Sequence, residues 1–474
     1  MSAIYDFVRS PKFMYLLVFL LGIMLRGIPE LLVSWYPVGY ETITYYAPPM
    51  FAFAEQGLVD VFVEFFRAGP LFYVLMWFAR VVSGAHPYLI LKVVGPMLYG
   101  GLAVSFLFFL RKGLKFGEKM TLAAALLLVF QVATLRESWD RFRNVLALIF
   151  VFATLTALKS DHKYKWWLVG IFALLTALSR EYVALVLFVS VLAFAVLQRK
   201  ERLVSLVALA PALATFCVMN LPQQLWWSYI PNSQYAWSSY LWTVQDAFII
   251  FAVCFLPLLP FVLKGFRRDK LLEPMFGLLL LGSFSVIVSP WFAVPGYQRW
   301  LILLVFPFTI YAIRGFHRLR LFEQSSFRKL VAVLSVFIVF GVGYSSGAFS
   351  YVMLQNSWVP TNLVQSSIGW NQIDDAKDVL RWLDENAEAN SSILSEERFY
   401  GWTLIYLKRA NNDVEVIPYG ANSQPEPALE KVLSDGFRWI YLIWYTDSNL
   451  ENFKPLYSQN GVSIFQYESQ VASF

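Results

Sequence analysis

The chain has 474 residues, of which 58% are hydrophobic and 15% are charged, whereas soluble domains average about 25% charged residues. Together with several apolar runs of membrane-spanning length, this composition excludes an ordinary soluble protein and indicates a polytopic membrane protein. The net charge of +6 does not indicate nucleic acid as a partner, because the lysines and arginines stand in short loops between the apolar runs.

The first apolar run, 13–35, leads into a loop that contains one carboxylate among tyrosines and prolines. This loop, from Pro37 to Pro49, carries Glu41, and Tyr40 and Tyr45 stand beside it. Because the loop directly follows a predicted membrane span, we expect its acid to lie at the boundary between membrane and water.

Two further elements and a series of spans follow this loop. The apolar and acidic residues of 50–66 alternate in a way that predicts one amphipathic helix lying along the membrane interface. The apolar stretch 69–82 is short for a crossing, and we expect it to be a second juxtamembrane element. The remaining spans are expected at 87–110, 119–135, 142–158, 166–180, 182–198, 203–221, 245–263, 271–289, 299–314 and 330–350.

The orientation in the membrane follows from the positive charges, which gather in alternate loops between the spans. Such loops face the cytoplasm. With a cytoplasmic N-terminus, this rule predicts about eleven transmembrane helices in the cell membrane, plasma or inner. The Glu41 loop, the stretch from Arg136 to Arg143 and everything after Tyr351 would then be extracytoplasmic. If 69–82 crossed the membrane instead, Glu41 would lie on the opposite side from the other polar groups.

The composition changes after Tyr351. We expect a transmembrane domain over 1–350 and a small extracytoplasmic α/β domain over 351–474. Within the second domain, Glu396 and Glu397 are expected to be a solvated pair. The pattern there predicts helices at 374–388 and 427–435, and strands at 392–394, 414–417, 439–443 and 462–467.

The candidate functional residues are acids, arginines and tyrosines at the ends of the spans. Ionisable groups are costly in a lipid-embedded chain, so their gathering on one side indicates a function. A guanidinium suits a phosphate, and one carboxylate suffices as a general base. No glycine-rich phosphate loop is evident, so a nucleotide-bound donor is not indicated. The candidate catalytic acids are Glu41 and Asp140, and the candidate substrate-binding residues are Tyr40, Tyr45, Arg141, Arg143, Arg180, Glu181, Tyr297 and Arg299.

Structural roles compete with these assignments. Asp140 and Arg141 can form interfacial ion pairs with neighbouring charges. Arg180 and Glu181 can be a structural pair at a turn between two spans. Arg26, inside the first apolar run, is expected to be a membrane anchor whose side chain snorkels to the interface. The 3 histidines lack the spacing of metal ligands, so a zinc site is not indicated.

Several short stretches resemble motifs of the GT-C superfamily of polyprenyl-phosphate-sugar-dependent glycosyltransferases, nearest the protein O-mannosyltransferase and aminoarabinose transferase branch. The resemblance covers roughly residues 1–350 in organisation. The matching features are the acid Glu41 in GYETITYY, the Pro-Leu-Phe-Tyr stretch Pro70–Tyr73, the Trp-Asp-x-x-Arg-Asn stretch Trp139–Asn144, the Arg-Glu-Tyr stretch Arg180–Tyr182, and the arginine-led apolar stretch Arg299–Pro307.

This resemblance implies an enzyme that moves a sugar from a polyprenyl- or dolichyl-phosphate donor to an extracytoplasmic acceptor, which can be a lipid, a glycan or a protein. Glu41 would be the catalytic base. The arginines would contact the phosphate of the carrier, and no nucleic acid would take part. The family usually has a second acid or a histidine before the first, where this chain has Tyr40; this leaves open whether a divalent cation takes part. Alternatives are a transporter or flippase of lipid-linked glycans and a non-catalytic membrane scaffold.

Overall fold

The computed structural model describes residues 11–198, 201–220, 237–288, 296–348, 360, 363–366, 368–407, 414–419, 425–446, 450 and 452–467. The chain divides into two compact units, and the division does not follow the sequence continuously. The first unit comprises Met1–Ser34, Glu55–Ala348 and Trp358–Leu363. The second unit comprises Trp35–Ala54, Phe349–Ser357 and Val364–Phe474. The segment with Glu41 therefore belongs to the same compact unit as the C-terminal part of the chain.

The first unit is helical throughout its described part. Short π-helical or 3-10 turns lie at Phe66–Ala68, Phe109–Gly113, Leu256–Leu258 and Gln324–Ser326. The α-helices are Pro11–Leu32, Leu58–Glu64, Pro70–Ser83, Pro87–Phe108, Glu118–Phe130, Val132–Asp140, Phe142–Leu158, Lys165–Ser179, Glu181–Leu197, Arg202–Asn220, Trp237–Phe255, Leu259–Gly265, Leu272–Val288, Tyr297–Leu303, Val305–Arg318 and Phe327–Ser345.

Six helical stretches of the described chain are long and apolar enough to cross a membrane. A seventh crossing results if the pair Glu118–Phe130 and Val132–Asp140, bent by 59°, forms one broken span. Shorter apolar helices of 10–17 residues lie at the predicted spans 142–158, 166–180, 182–198 and 271–289. The total of about eleven crossings stays a prediction. The helix Pro70–Ser83 has 14 residues, a length of about 21 Å against a bilayer core of about 30 Å.

Two local predictions are wrong. The stretch 50–66 is not one helix, because the Gly57 backbone is extended and its N–H donates to the Asp60 carboxylate at 3.1 Å, which starts a new helix at Leu58. The stretch from Arg136 to Arg143, expected to be an external loop between two spans, is helical up to Asp140. The break comes earlier, at Gln131, whose backbone is extended and whose side-chain amide donates to the Cys254 carbonyl at 2.8 Å.

The described part of the second unit contains a mixed five-stranded sheet in the order β2-β1-β3-β5-β4. Strand β1 pairs in parallel with β2 and β3, and β5 pairs antiparallel with β3 and β4. The strands are β1 Ser391–Glu396, β2 Val414–Tyr419, β3 Trp439–Tyr445, β4 Phe453–Gln459 and β5 Val462–Tyr467; the helical segments are Thr42–Tyr46 (π), Ala47–Ala52, Trp370–Gln372 (3-10), Ile373–Asn386, Glu397–Tyr406 and Glu426–Ser434.

Helices cover both faces of this sheet. The helix Glu426–Ser434 packs Leu429 and Val432 against Leu394 of β1. The neighbouring Ser395 points to the opposite face, where its hydroxyl bonds Thr403 of the helix Glu397–Tyr406 at 3.0 Å. The predicted helices and strands of this region are all present. The sequence reading missed the strand β4 and the helix that follows β1.

Candidate functional site

The helix Val132–Asp140 and the residue after it carry four charged side chains that are almost fully buried. Arg136 pairs with Asp140, and Arg141 Nη1 lies 3.2 Å from Glu137 Oε2. Both pairs are four residues apart, a spacing that places side chains on the same face of a helix. Arg141 itself leaves the helical conformation, with φ −101° and ψ 54°, and a new helix starts at Phe142.

Glu137 is the centre of this polar group. Its carboxylate accepts hydrogen bonds from Asn144 Nδ2 at 2.6 Å and from the Tyr182 hydroxyl at 3.5 Å, in addition to the contact with Arg141. The side chain of Glu137 is fully buried. A buried carboxylate persists only if it is paired and hydrogen-bonded, so Glu137 fixes the positions of its partners.

Three arginines from different parts of the first unit lie within electrostatic range of Tyr182. Arg141, Arg180 and Arg299 all act electrostatically on its phenol group, and Arg180 Cζ lies 5.4 Å from the centre of its ring. We call these three arginines the guanidinium cluster. Trp300, next to Arg299, lies beside the Tyr182 ring with 6.5 Å between centres. Tyr182 thus lies within electrostatic range of three of the arginines that the sequence singled out.

The other predicted binding residues of the first unit have local contacts. Arg143 donates to the Ala68 carbonyl, and its guanidinium lies 5.7 Å from the centre of the Tyr73 ring. Tyr297 donates its hydroxyl to the Thr243 carbonyl at 3.2 Å. Glu181 lies 3.3 Å from Arg180 Nε, an ion pair at the turn between two helices. These contacts attach neighbouring elements to each other.

Arg26 is a site residue that the sequence analysis misassigned. It is not a snorkelling anchor, because its side chain is fully buried. Its guanidinium donates to the carbonyls of Ser138 at 3.2 Å and Trp139 at 2.7 Å, pairs with Glu30 at 2.8 Å, and lies 5.0 Å from the centre of the Trp139 ring. Arg26 therefore caps the C-terminal end of the helix that carries Glu137 and Asp140.

In the second unit, Glu41 is a buried residue at the start of the π-helical turn Thr42–Tyr46, with 7% of its surface exposed. Tyr40 donates its hydroxyl to Glu397, and its ring meets the Tyr45 ring edge-on with 6.3 Å between centres. Burial, followed by this hydrogen bond, raises the pKa of Tyr40 well above its usual range, so the phenol stays protonated. The Tyr40 contact attaches the segment with Glu41 to the helix Glu397–Tyr406.

The prediction that Glu396 and Glu397 form a solvated pair is wrong. Glu396 is fully buried, and its carboxylate accepts hydrogen bonds from Arg398 Nε at 2.7 and 2.8 Å and from the Arg398 backbone N–H at 2.9 Å. Glu397 is the acceptor for Tyr40. The sequence around these two acids does not reveal their partners, because Tyr40 lies 357 positions before Glu397.

Metal ligation requires several His, Cys, Asp or Glu side chains close to one another. Within the described parts of both units, no three or more His, Cys, Asp or Glu side chains lie together in a way that could ligate a metal ion.

Comparison with known proteins identifies the fold. No family model and no curated protein matches the chain. The structure is similar to arabinofuranosyltransferase AftD from Mycobacteria, with 11% identity and a TM-score of 0.54 over 97% of this chain and 40% of that one. It is also similar to ArnT from Cupriavidus metallidurans in the apo state, with 11% identity and a TM-score of 0.53 over 96% of this chain and 98% of that one. Both are GT-C superfamily members, so the predicted resemblance is confirmed at the level of the fold.

Proposed function

We propose that this protein is an integral-membrane glycosyltransferase that moves one sugar from a polyprenyl-phosphate donor to an extracytoplasmic acceptor. The observation that carries the proposal is the guanidinium cluster of Arg141, Arg180 and Arg299 within electrostatic range of Tyr182, in a fold shared with an arabinofuranosyltransferase. The resemblance shows the fold alone, so the activity rests on the chemistry of the side chains.

The charge of this region supports a phosphate as the ligand. Of the charged residues named below, four are arginines and three are carboxylates, a composition that favours an anionic ligand over a cationic one. The forked guanidinium binds phosphate oxygens through paired hydrogen bonds. The residues concerned are Arg136, Arg141, Arg180, Arg299, Glu137, Asp140 and Glu181.

The reaction needs one bond to form and one to break. The acceptor hydroxyl oxygen attacks the anomeric carbon of the donor sugar, and the bond from that carbon to the phosphate oxygen breaks. The polyprenyl phosphate leaves with the electron pair, and the arginines stabilise its charge. Glu41 takes the proton of the acceptor hydroxyl as the general base.

Asp140, the second candidate catalytic acid, receives a different role in this proposal. It is fully buried and paired with Arg136, its neighbour on the same helix face. A carboxylate held in such a pair is a poor proton acceptor, because its charged form is stabilised. We assign Asp140 to the positioning of Arg136, and Glu41 alone to the proton transfer.

The second unit has a defined task in this mechanism, since it contains the base. Tyr40 binds Glu397, and Tyr36 donates to Asp374 Oδ1 at 2.9 Å and lies edge-on to Trp402 at 5.5 Å between ring centres. These contacts fix the segment before Glu41 to the α/β part of the same unit. The proposal therefore makes this part a support for the catalytic loop.

The test is the substitution Glu41→Gln in the purified, folded protein, supplied with the polyprenyl-phosphate sugar that copurifies with it and is identified by mass spectrometry. Loss of a general base lowers turnover by about 10²–10⁴-fold. Glu55→Gln is the matched control, because Glu55 is a solvent-exposed acid of the same stretch before the helix Leu58–Glu64. Equal turnover of the Glu41→Gln, Glu55→Gln and unmodified proteins would remove the mechanism.

A further inference from the structure

The second unit has a sheet edge of the kind that binds ligands in α/β folds. Its three parallel strands lie in the order β2-β1-β3, so the chain passes from β1 to β2 on one side and then returns to place β3 on the other side of β1. Ligands of open α/β sheets bind outside the carboxyl ends of the strands, where the strand order reverses in this way. In this unit that position is the carboxyl end of β1 and β3.

Side chains of a distinctive composition gather at this edge. Glu396 ends β1 and pairs in register with Tyr419, the last residue of β2. Trp444 and Tyr445 end β3. The guanidinium of Arg398, bonded to Glu396, lies 5.0 Å from the centre of the Trp444 ring and 5.9 Å from that of Tyr445. We call these five residues the carboxyl edge.

The carboxyl edge combines an ion-paired polar centre with aromatic walls. Arg398 and Glu396 form an ion pair at 2.6 Å, so the centre of the edge is a paired group and not a single free charge. The rings of Tyr419, Trp444 and Tyr445 are only partly buried. Such half-exposed rings present flat apolar faces with polar groups beside them.

One hydroxyl at this edge points to a missing partner. The Tyr445 oxygen is buried, yet no residue of the described chain forms a hydrogen bond with it. Burial raises the pKa of Tyr445 to about 12, so the phenol keeps its proton at neutral pH and remains a donor. Buried polar groups are rarely left without a partner, and an ordered water or a ligand hydroxyl can supply one.

We propose that the carboxyl edge is the subsite for a neutral sugar ring of the acceptor, which makes the acceptor a glycan. A sugar ring stacks its C–H face on Trp444 or Tyr419, and its hydroxyls bond the Tyr445 hydroxyl and the Arg398–Glu396 pair. Neutral polar ligands with an apolar face match this arrangement of aromatic walls and few polar groups.

The position of this subsite suits the proposed reaction, on which the inference rests. Glu397 directly follows Glu396 in the carboxyl edge and binds the hydroxyl of Tyr40, the residue before Glu41. The loop of the base is thus attached to the strand end where the acceptor would bind. A glycan held there would lie in the same unit as that loop.

The test is saturation-transfer NMR on the full chain in lipid nanodiscs, with a mixture of manno-, gluco- and arabino-trisaccharides as the probe. We expect saturation transfer to at least one trisaccharide. Tyr445→Phe removes only the hydroxyl and should weaken that binding about fivefold, as expected for one hydrogen bond. Trp444→Leu should weaken it about tenfold through loss of the aromatic face. Tyr457→Phe, on the edge strand β4, is the matched control and should leave binding unchanged.

The outcomes separate this inference from the proposed function. Binding that is absent for all three trisaccharides, or equal in the Tyr445→Phe and Tyr457→Phe proteins, overturns the subsite. Tyr445→Phe keeps the aromatic ring and its packing, so weaker binding of this variant cannot be attributed to misfolding. Glu55→Gln should keep full trisaccharide binding, because Glu55 is exposed and does not belong to the carboxyl edge. A Glu41→Gln protein with normal turnover would end the mechanism and leave the subsite standing.

Discussion

Arg26 provides the sharpest prediction about stability, because its partners are known and it is fully buried. The substitution Arg26→Met removes a charged donor from the carbonyls of Ser138 and Trp139 and leaves Glu30 without its ion pair. Breaking a buried pair by removal of one partner costs about 3–5 kcal/mol. We therefore expect the free energy of unfolding to fall by about that amount, with lost order at the end of the helix Val132–Asp140.

The measurement is reversible unfolding in mixed micelles of the single variant and of the double variant Arg26→Met/Glu30→Leu. Removing both charges avoids leaving the buried Glu30 carboxylate without Arg26, so the double variant should be about 2 kcal/mol more stable than Arg26→Met. Arg320→Met is the control, since the Arg320 side chain is 79% exposed in its 3.7 Å pair with Glu323, and its effect should be too small to measure. A loss of less than about 1 kcal/mol for Arg26→Met, or no recovery in the double variant, would refute this reasoning.

Two further predictions concern the attachment of the Glu41 segment. Tyr40→Phe removes the hydrogen bond to Glu397 and should lower kcat about tenfold, with an unchanged KM for the donor. The reason is that a small displacement of a catalytic group slows the reaction strongly. An unchanged kcat would contradict this prediction. Burial, then the bond to Asp374, raises the pKa of Tyr36 from 10.0 to about 12, so its contribution to stability is complete below pH 10 and is lost as pH rises toward 12. Thermal unfolding at pH 9 and pH 11 should show this loss, and Tyr36→Phe should make it smaller; an equal loss in both proteins would contradict the assignment.

The regular elements of the α/β part were predictable because each has a clear local period. The helix Ile373–Asn386 shows one apolar face, and four of the five strands have apolar residues in short runs. The strand β4 was missed because it is an edge strand with Lys454 and Pro455, and its side chains are largely exposed. Edge strands of this composition resemble loops in sequence.

The helix Glu397–Tyr406 was missed because of Gly401, which weakens a helix pattern. A glycine is needed at this position because of a contact distant in sequence: a Cβ at Gly401 would come within 2.6 Å of the Thr44 Cα. The glycine thus permits the close approach of the segment with Glu41 to this helix. Such a requirement is tertiary and leaves no local signal.

The candidate site was predictable in its residue types and only partly in its contacts. Arg141, Arg180 and Arg299 were candidates because they stand at the ends of predicted spans, where charges are costly near lipid. The role of Arg26 was hidden, since its carbonyl partners lie 112 and 113 positions away. An arginine followed four residues later by Glu30 inside an apolar run was the available signal, because that spacing forms a helical ion pair.

The central claim is that the guanidinium cluster binds the phosphate of a lipid-linked donor. The most direct measurement is the Kd of undecaprenyl monophosphate for the protein in nanodiscs. Arg299→Gln should raise this Kd about 10–100-fold, as expected for the loss of a charge-assisted hydrogen bond, while Glu41→Gln should leave it unchanged. Arg267→Gln, at an exposed arginine, is the control. An equal Kd for the Arg299→Gln and Arg267→Gln proteins would contradict the account.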